Sequence, residues 1–400
     1  MINRLECIPL ISYNTIYDLQ LEVSSLCNAR CIMCSRREQG GEKNPTFVET
    51  YLTLQNIKDW FPIDLLKQVK IIGMCGNFGD AMTNPELIDI VKYIISVNPD
   101  IKFTMNTNGS GRDDNFWREL GELFKGRGQV TFSVDGLEDT NWIYRRGTHW
   151  DKIMSSMKAY LSTGANSSWD FLVFKHNQHQ IEEARELSKK IGITSFYQKK
   201  AFGFYDGDDN AMNVYRSDGK FEYTIMAPDE DLQGTNRDPK RDTQNLGKNW
   251  LSGKKKTSTG FVEDIKKQLE NVESTTKTLH WSFKNYTKPN ELSLTDRKLS
   301  ELKINCQASE SNSVFVDHNG IVVPCCWIGA FYPGDSGDIS QPIKEFLEKD
   351  GIDKISLKHN SLENIINGEM FSTSWIESFN DYDIRNKRLK ACSIFCGVNE

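Results

Sequence analysis

The chain has no apolar run of about 18 residues, so nothing in it reads as a membrane-spanning helix. Met1 to Tyr17 lacks the apolar core of about 7–15 residues that a secretory signal needs, and no cleavage signature follows it. A basic excess is also missing. Lys and Arg total 49 against 55 Asp and Glu, a net charge of −6, so the overall balance points neither to nucleic acid nor to an anionic membrane. Ten cysteines in 400 residues are too sparse for a disulfide scaffold. What remains is a soluble globular composition, 38% apolar and 26% charged, long enough for two or three domains. A reducing cytoplasm is the expected home.

The cysteines that are present are clustered. Three lie in Cys27-Asn28-Ala29-Arg30-Cys31-Ile32-Met33-Cys34, spaced C-x3-C-x2-C. An odd number of thiols cannot pair internally, but thiolates this close suit a soft metal centre. Just before them, Leu19-Gln20-Leu21-Glu22-Val23 alternates as a short strand does. The cysteines therefore sit on the loop leaving a strand, where α/β folds usually place their sites. Three cysteines can hold three irons of a four-iron cube and leave the fourth open. A structural zinc knot is the competing reading. Zinc takes four N or S ligands, and neither a His nor a fourth Cys follows nearby.

Strand patterns recur at 19–23, 69–74, 101–106, 129–134, 169–174 and 194–198, with helical patterns at 53–66, 84–97, 113–125, 149–163 and 178–190. Asn84 stands where an N-cap belongs, with Pro85 at the first helical position. Asp113 or Asp114 can cap the third helix, and Gly192 follows the fifth. Such a βα repeat implies a parallel sheet with helices outside it. From 206 to 305 the periodicity fades. Asp206 to Asn210 is turn material, 228–259 reads as a long polar excursion with the charge run Lys254-Lys255-Lys256, and short helices are expected at 260–272 and 294–302. A strand at 313–317, an Asn319-Gly320 turn and a returning 321–324 make a hairpin near the end.

The early C-x3-C-x2-C after a strand resembles the cluster loop of the radical S-adenosylmethionine (SAM) enzymes, with Met33 where that family prefers an aromatic. The resemblance implies an α/β fold, a partial (β/α)6 TIM-like barrel, in which Cys27, Cys31 and Cys34 hold a [4Fe–4S] cluster. In that family the open iron chelates the amino and carboxylate groups of SAM. One electron then cleaves the sulfonium to a 5′-deoxyadenosyl radical that abstracts hydrogen from substrate. An electron donor such as flavodoxin or ferredoxin is implied.

A second resemblance covers the C-terminal part. Cys306, Gly320 and Cys325 fit the C-x(9–15)-G-x4-C opening of the SPASM and twitch auxiliary-cluster domains. With Cys392 and Cys396 they make four thiols, enough for one auxiliary [4Fe–4S] cluster and too few for two. The family's later pair is often C-x2-C, whereas Cys392 and Cys396 are C-x3-C, and Cys326 beside Cys325 is a possible substitute ligand. Zinc is again the competing reading. The expected division is a radical SAM core at 1–205, a linker or insertion at 206–305, and a small hairpin-plus-helix auxiliary domain at 306–400.

SAM contacts are assigned by the same resemblance. Gly76, Asn77, Gly79 and Asp80 stand where the family has its Gly-Gly-Glu-Pro type motif, with Ala81 in place of Pro. Asp80 would bond the methionyl amine. Asn106 and Asn108 follow the third strand, and Ser133 and Asp135 the fourth; they suit ribose or carboxylate. Arg145 resembles the arginine that pairs with the SAM carboxylate, and Phe174 could pack near adenine. Cys75 sits at the same mouth as a thiol that could pass a hydrogen atom or be inert, and Cys7 has no assigned role. The expected reaction is a net oxidation of a small molecule. Modification of a peptide or protein is the alternative, although about 18 residues before the first strand leave no room there for a peptide-recognition domain. An electron-transfer or zinc-binding protein is the rival from another class.

Overall fold

A computed structural model describes residues 11–201, 204, 211–229, 259–270, 300–332, 340–349, 351–380 and 388–398. The six expected βα strands form as β1 (Asp18–Leu21), β2 (Ile71–Met74), β3 (Lys102–Thr107), β4 (Gly128–Ser133), β5 (Asn166–Val173) and β6 (Ser195–Lys200). The returning hairpin supplies β10 (Ser313–Val316) and β11 (Val322–Val323) to the same sheet. The eight-stranded order is β11-β10-β1-β2-β3-β4-β5-β6, so the sheet is open, with β11 and β6 at its edges. β1 pairs in parallel with both β10 and β2, and β5 with both β4 and β6, while β11 runs antiparallel to β10. This is an α/β partial barrel. The C-terminal hairpin extends its sheet beside β1.

The described residues fall into two compact units. The first lies within Met1–Leu26, Val48–Thr104 and Ser282–Glu400, and the second within Cys27–Phe47 and Met105–Trp281. In the first, Leu19 and Leu21 of β1 are buried, while Asp18, Gln20 and the following Glu22 share the other face by the period-2 rule. Helices α1 (Leu54–Trp60), α2 (Ile63–Gln68) and α3 (Leu87–Val97) bury Ile57, Leu65, Leu66, Ile90, Val91 and Ile94. The single helix expected at 53–66 is two, because Pro62 has no N–H to donate and the preceding Phe61 is extended (φ −120°, ψ 95°). Asn84 does not open α3 as expected. Its amide donates to the Val23 and Leu52 carbonyls at 2.9 and 2.8 Å, and the helix starts at Leu87.

The hairpin turn between β10 and β11 is built by Asp317. Its carboxylate accepts from the Asn319 and Ile321 N–H groups, each at 2.8 Å, and Gly320 takes the left-handed conformation (φ +84°). A short ladder of β9 (Lys303–Ile304) with β12 (Gly397–Val398) joins the two ends of this C-terminal part.

In the second unit, α4 (Asp114–Phe124), capped by Asp113, is followed by the short α5 (Asn141–Tyr144) and packs with α6 (Trp150–Leu161); Trp117, Phe132 and Tyr160 are fully buried. Helix α7 (Ile181–Ile191) ends at Gly192, as expected. Two strands lie in the stretch whose apolar periodicity fades, β7 (Ala211–Tyr215) and β8 (Phe221–Met226), an antiparallel hairpin. They are short, and Asn213, Glu222 and Thr224 interrupt their apolar pattern. Helix α8 (Thr259–Glu270) fits the helix expected at 260–272. Residues 206–210, 230–258, most of 294–302, and Cys7 lie outside the described residues.

Candidate active site

The cysteine loop is held by its neighbours in the second unit. Ile32 is 1% exposed and packs in a cluster with Ile143, Tyr144, Phe174, Val214, Tyr223 and Ile225, with Cys31 and Met33 against it. Strands β7 and β8 thus clamp the loop from a segment the sequence left without a role. Arg146 extends the clamp. Its guanidinium donates to the Gly40 and Tyr215 carbonyls at 3.0 and 2.7 Å and pairs with Glu222, and its own carbonyl accepts from the Arg30 N–H at 2.7 Å.

N–H groups reach two of the three sulfurs. Asn108 Nδ2 lies 3.6 Å from Cys27 Sγ and donates to Asn28 Oδ1 at 2.9 Å. The Ala29 N–H is 3.4 Å from Cys27 Sγ, and Arg145 Nη1 is 3.6 Å from Cys31 Sγ. Burial pushes the Cys31 thiol up, and the Arg145 charge opposes that. N–H donors aimed at sulfur suit thiolates, and in iron–sulfur centres such bonds tune the reduction potential. Among the described residues, no group of three or more His, Cys, Asp or Glu converges as it would around a single ion. A cube asks for something looser, because each cysteine binds a different iron.

Asp135 is 0% exposed. Its Oδ2 accepts from Arg145 Nε at 2.5 Å and its Oδ1 from the Leu172 N–H at 2.6 Å. Burial raises its carboxyl, with Arg145 opposing. Burial also works against the Arg145 charge, but Asp135 and Cys31 outweigh it and hold the guanidinium firmly protonated. The guanidinium lies over the Tyr144 ring, 5.5 Å from its centroid, and Tyr144 packs on Phe174. A carboxylate, a guanidinium and a thiol thus form one buried chain.

The 76–80 loop belongs to the first unit. Glu22 organises it, a residue that sequence reasoning passed over. Its carboxylate accepts from the Asn77, Phe78 and Gly79 N–H groups at 2.9, 3.2 and 3.3 Å. Burial pushes this carboxyl up to about 8, although the three N–H groups oppose the shift. The available signal was an acid on the polar face of a strand, in line with Asp18 and Gln20. Gly79 has no room for a side chain, since a Cβ there would stand 2.1 Å from the Ser24 carbonyl oxygen. Asp80 is 3% exposed, accepts from the Met82 N–H at 3.2 Å and caps the turn Ala81–Thr83. Asn77 Nδ2 donates to the Cys326 carbonyl at 2.8 Å.

Four cysteines of the first unit, Cys306, Cys325, Cys392 and Cys396, line one small apolar cavity, roofed by Trp327 stacked on Phe395 at 3.8 Å. Cys392 and Cys396 are on the helix Lys390–Cys396, where an i, i+4 spacing puts both on one face. The β9–β12 ladder brings Cys306 beside Cys396, and the Cys306 thiol donates to Cys396, holding it down to about 7. Burial pushes Cys392 up to about 12. The buried Arg388 fixes this end of the chain, donating to Ser393 Oγ at 2.7 Å and to the Leu302 carbonyl. Cys326 is absent from that small cavity. Its thiol meets Cys75, whose own thiol also faces Gln20 Oε1 at 3.8 Å.

Residues 21–188 match the family model described as the radical SAM superfamily. This stretch is similar to a radical SAM domain. A curated relative is the tungsten-containing aldehyde ferredoxin oxidoreductase cofactor-modifying protein of Pyrococcus furiosus, 25% identical over 183 residues, or 44% of this chain. The chain spans about half of that relative's length (49%). Similar solved structures include SuiB of Streptococcus suis bound to S-adenosylmethionine, at 17% identity and TM-score 0.44 over 79% of this chain and 61% of that one. Another is anSMEcpe with bound AdoMet, at 12% identity and TM-score 0.49 over 89% of this chain and 78% of that one.

A radical SAM domain uses a [4Fe–4S] cluster and SAM, and the sulfur-directed donors of the cysteine loop fit the cluster. Of the SAM contacts assigned from sequence, Asn108, Asp135 and Arg145 act on the cysteine loop, directly or in relay. Asp80 caps the turn that follows it, and the N–H groups of Asn77 and Gly79 are engaged by Glu22. Asn106 is on the exposed face of β3, and Ser133 is half-buried at the end of β4. No described helix is long and apolar enough to cross a membrane.

Proposed function

We propose that this chain is a radical SAM enzyme that catalyses a net oxidation with the help of one auxiliary [4Fe–4S] cluster. Residues 1–205 would be its core, 206–305 a linker or insertion, and 306–400 its auxiliary domain. The observation that carries the reading is the presence of two separate thiol groups, one of three on a loop with sulfur-directed donors and one of four around a single cavity. Cys27, Cys31 and Cys34 would hold the first cluster, which supplies the electron for SAM cleavage, and Cys306, Cys325, Cys392 and Cys396 the second. Arg145, held by Asp135, presents a fixed positive charge beside Cys31. The Glu22-bound loop keeps Gly76, Asn77, Gly79 and Asp80 in one conformation, with their remaining polar groups for the methionyl end of SAM. Asn106 and Ser133 stay assigned to its ribose or carboxylate. Flavodoxin or ferredoxin would supply the electron, in the cytoplasm.

A second reading is modification of a peptide, protein or bound cofactor. The name of the Pyrococcus furiosus relative favours it. Anaerobic reconstitution tests the shared core of both readings. The expected result is about eight irons per chain, two cubes' worth, and reductant-dependent 5′-deoxyadenosine. Four irons with 5′-deoxyadenosine would remove the auxiliary centre, and neither would remove the enzyme.

A further inference from the structure

Among the described residues, the two thiol groups leave two cysteines unused, Cys75 and Cys326, both in the first unit. Cys75 follows directly on β2, and Cys326 opens the helix Cys326–Phe331 after the hairpin. Their thiols hydrogen-bond each other. Neighbouring contacts hold the two chain segments together independently. Asn77 Nδ2 donates to the Cys326 carbonyl at 2.8 Å, and the Asn77 N–H is itself fixed by Glu22 at 2.9 Å. Gly76, between Cys75 and Asn77, takes the left-handed conformation (φ +72°), and Gln20 Oε1 stands 3.8 Å from Cys75 Sγ. Zinc takes four ligands, and among the described residues no third His, Cys, Asp or Glu joins the pair as it would around an ion. Both residues are half-buried, and Cys326 lines an adjoining cavity of about 490 Å³ through which a small molecule can reach it.

We propose that Cys75 and Cys326 are a redox pair that closes to a disulfide and so links the 76–80 loop to the C-terminal hairpin. The oxidant is a low-molecular-weight disulfide. One protein thiol attacks it and releases its first half as a thiol; the other protein thiol then displaces the second half from the mixed disulfide. One sulfur–sulfur bond forms as the oxidant's breaks. The pair loses two electrons, and its two protons leave with the released thiols. A thiol reductant reverses the exchange. In a reducing compartment such disulfides are usually transient and report redox state. The pairing stands apart from the proposed function; its consequence, a loop fixed or freed, falls on the SAM contacts of that reading.

The test treats the full-length, anaerobically reconstituted protein with 2-hydroxyethyl disulfide. Free thiols are then blocked with iodoacetamide, and the digest is read by mass spectrometry. The expected result is loss of the alkylated forms of Cys75 and Cys326 and the appearance of one peptide linking them, reversed by dithiothreitol. Hydrogen exchange at 76–80 should slow in the linked protein, because the loop can no longer open away from the hairpin. In Cys75→Ser, Cys326 should stop at the mixed disulfide. Separate alkylation or separate mixed disulfides of the two cysteines in the wild-type protein, or a link that leaves exchange at 76–80 unchanged, overturns the inference. So does a link that forms only as iron is lost, which would make Cys326 a ligand. The wild-type result decides even if the variant does not fold. Iron content and 5′-deoxyadenosine formation in the untreated protein report separately on the proposed function. If both are intact and the link is missing, only the disulfide inference falls.

Discussion

Arg145 and Asp135 should behave as one unit, and removing either alone should cost more than removing both. In Arg145→Gln, the 0%-exposed Asp135 loses its counter-charge and keeps only the Leu172 N–H. In Asp135→Asn the guanidinium is left with Cys31 and the Tyr144 ring. Breaking a buried pair on one side costs about 3–5 kcal/mol. At about 2–4 °C per kcal/mol, each single variant should melt roughly 6–20 °C lower. The double variant buries no charge, so the coupling should be about 2 kcal/mol or more. The assay is anaerobic thermal unfolding of the reconstituted protein, followed by circular dichroism at a fixed scan rate. The pH dependence carries a sign. Burial already raises the Asp135 carboxyl, and loss of Arg145 raises it further. A raised carboxyl leaves the unfolded chain with fewer bound protons than the folded one above pH of about 4, so stability falls as pH rises. The Arg145→Gln deficit should therefore grow from pH 5 to pH 8. Single-variant costs that simply add in the double variant, or a deficit that shrinks as pH rises, would refute the pairing.

Three further outcomes are expected. Cys31→Ala should abolish 5′-deoxyadenosine formation, and product formed at the wild-type rate would remove the cluster assignment. Asp80→Ala should weaken SAM binding roughly 10- to 150-fold with iron retained, the worth of a charge-assisted hydrogen bond; titration with SAM reads it, and an unchanged dissociation constant counts against the contact. Gly79→Ala should lower the melting midpoint markedly, because the new Cβ meets the Ser24 and Leu26 carbonyl oxygens at 2.1 and 2.7 Å; wild-type stability would mean that the loop yields more easily than its Glu22 clamp implies.

Elements with a strong local signal were legible. The six βα strands could be read from short runs, most of them rich in Ile, Val or Phe, and Asp113 and Gly192 from capping chemistry. Long-range polar contacts were not. Asn84 looks like an N-cap locally, yet its amide answers two carbonyls from distant parts of the chain. Asn108, Asp135 and Arg145 were picked out as polar residues after strands, which is correct as to position. Their partners turn out to be the cysteine loop and one another, because which group a side chain meets is set by the loops that cover it. The β7–β8 hairpin was missed for a related reason: its strands are short and its apolar residues complete a core built mainly by others.

The C-terminal cysteines show how spacing becomes geometry. Cys392 and Cys396 depart from the commoner C-x2-C, but they fall on a helix, where four residues bring side chains back to one face. Cys325 and Cys326 are adjacent, and only Cys325 shares the small cavity with the other three; Cys326 meets Cys75 and lines the larger adjoining cavity with Cys306, Cys325 and Cys396. Removing Cys392 and Cys396 together should therefore lower iron by about four per chain, one cube's worth, while SAM cleavage survives on a cluster built from another part of the chain. Cys326→Ala should keep all its iron, and Cys325→Ala should not. Iron analysis with electron paramagnetic resonance of the reduced proteins separates the two. The reverse result, with iron lost from Cys326→Ala and kept in Cys325→Ala, would make Cys326 the ligand and Cys325 the spare. No loss from the double variant would leave the four-thiol cavity without a cluster and in need of another explanation.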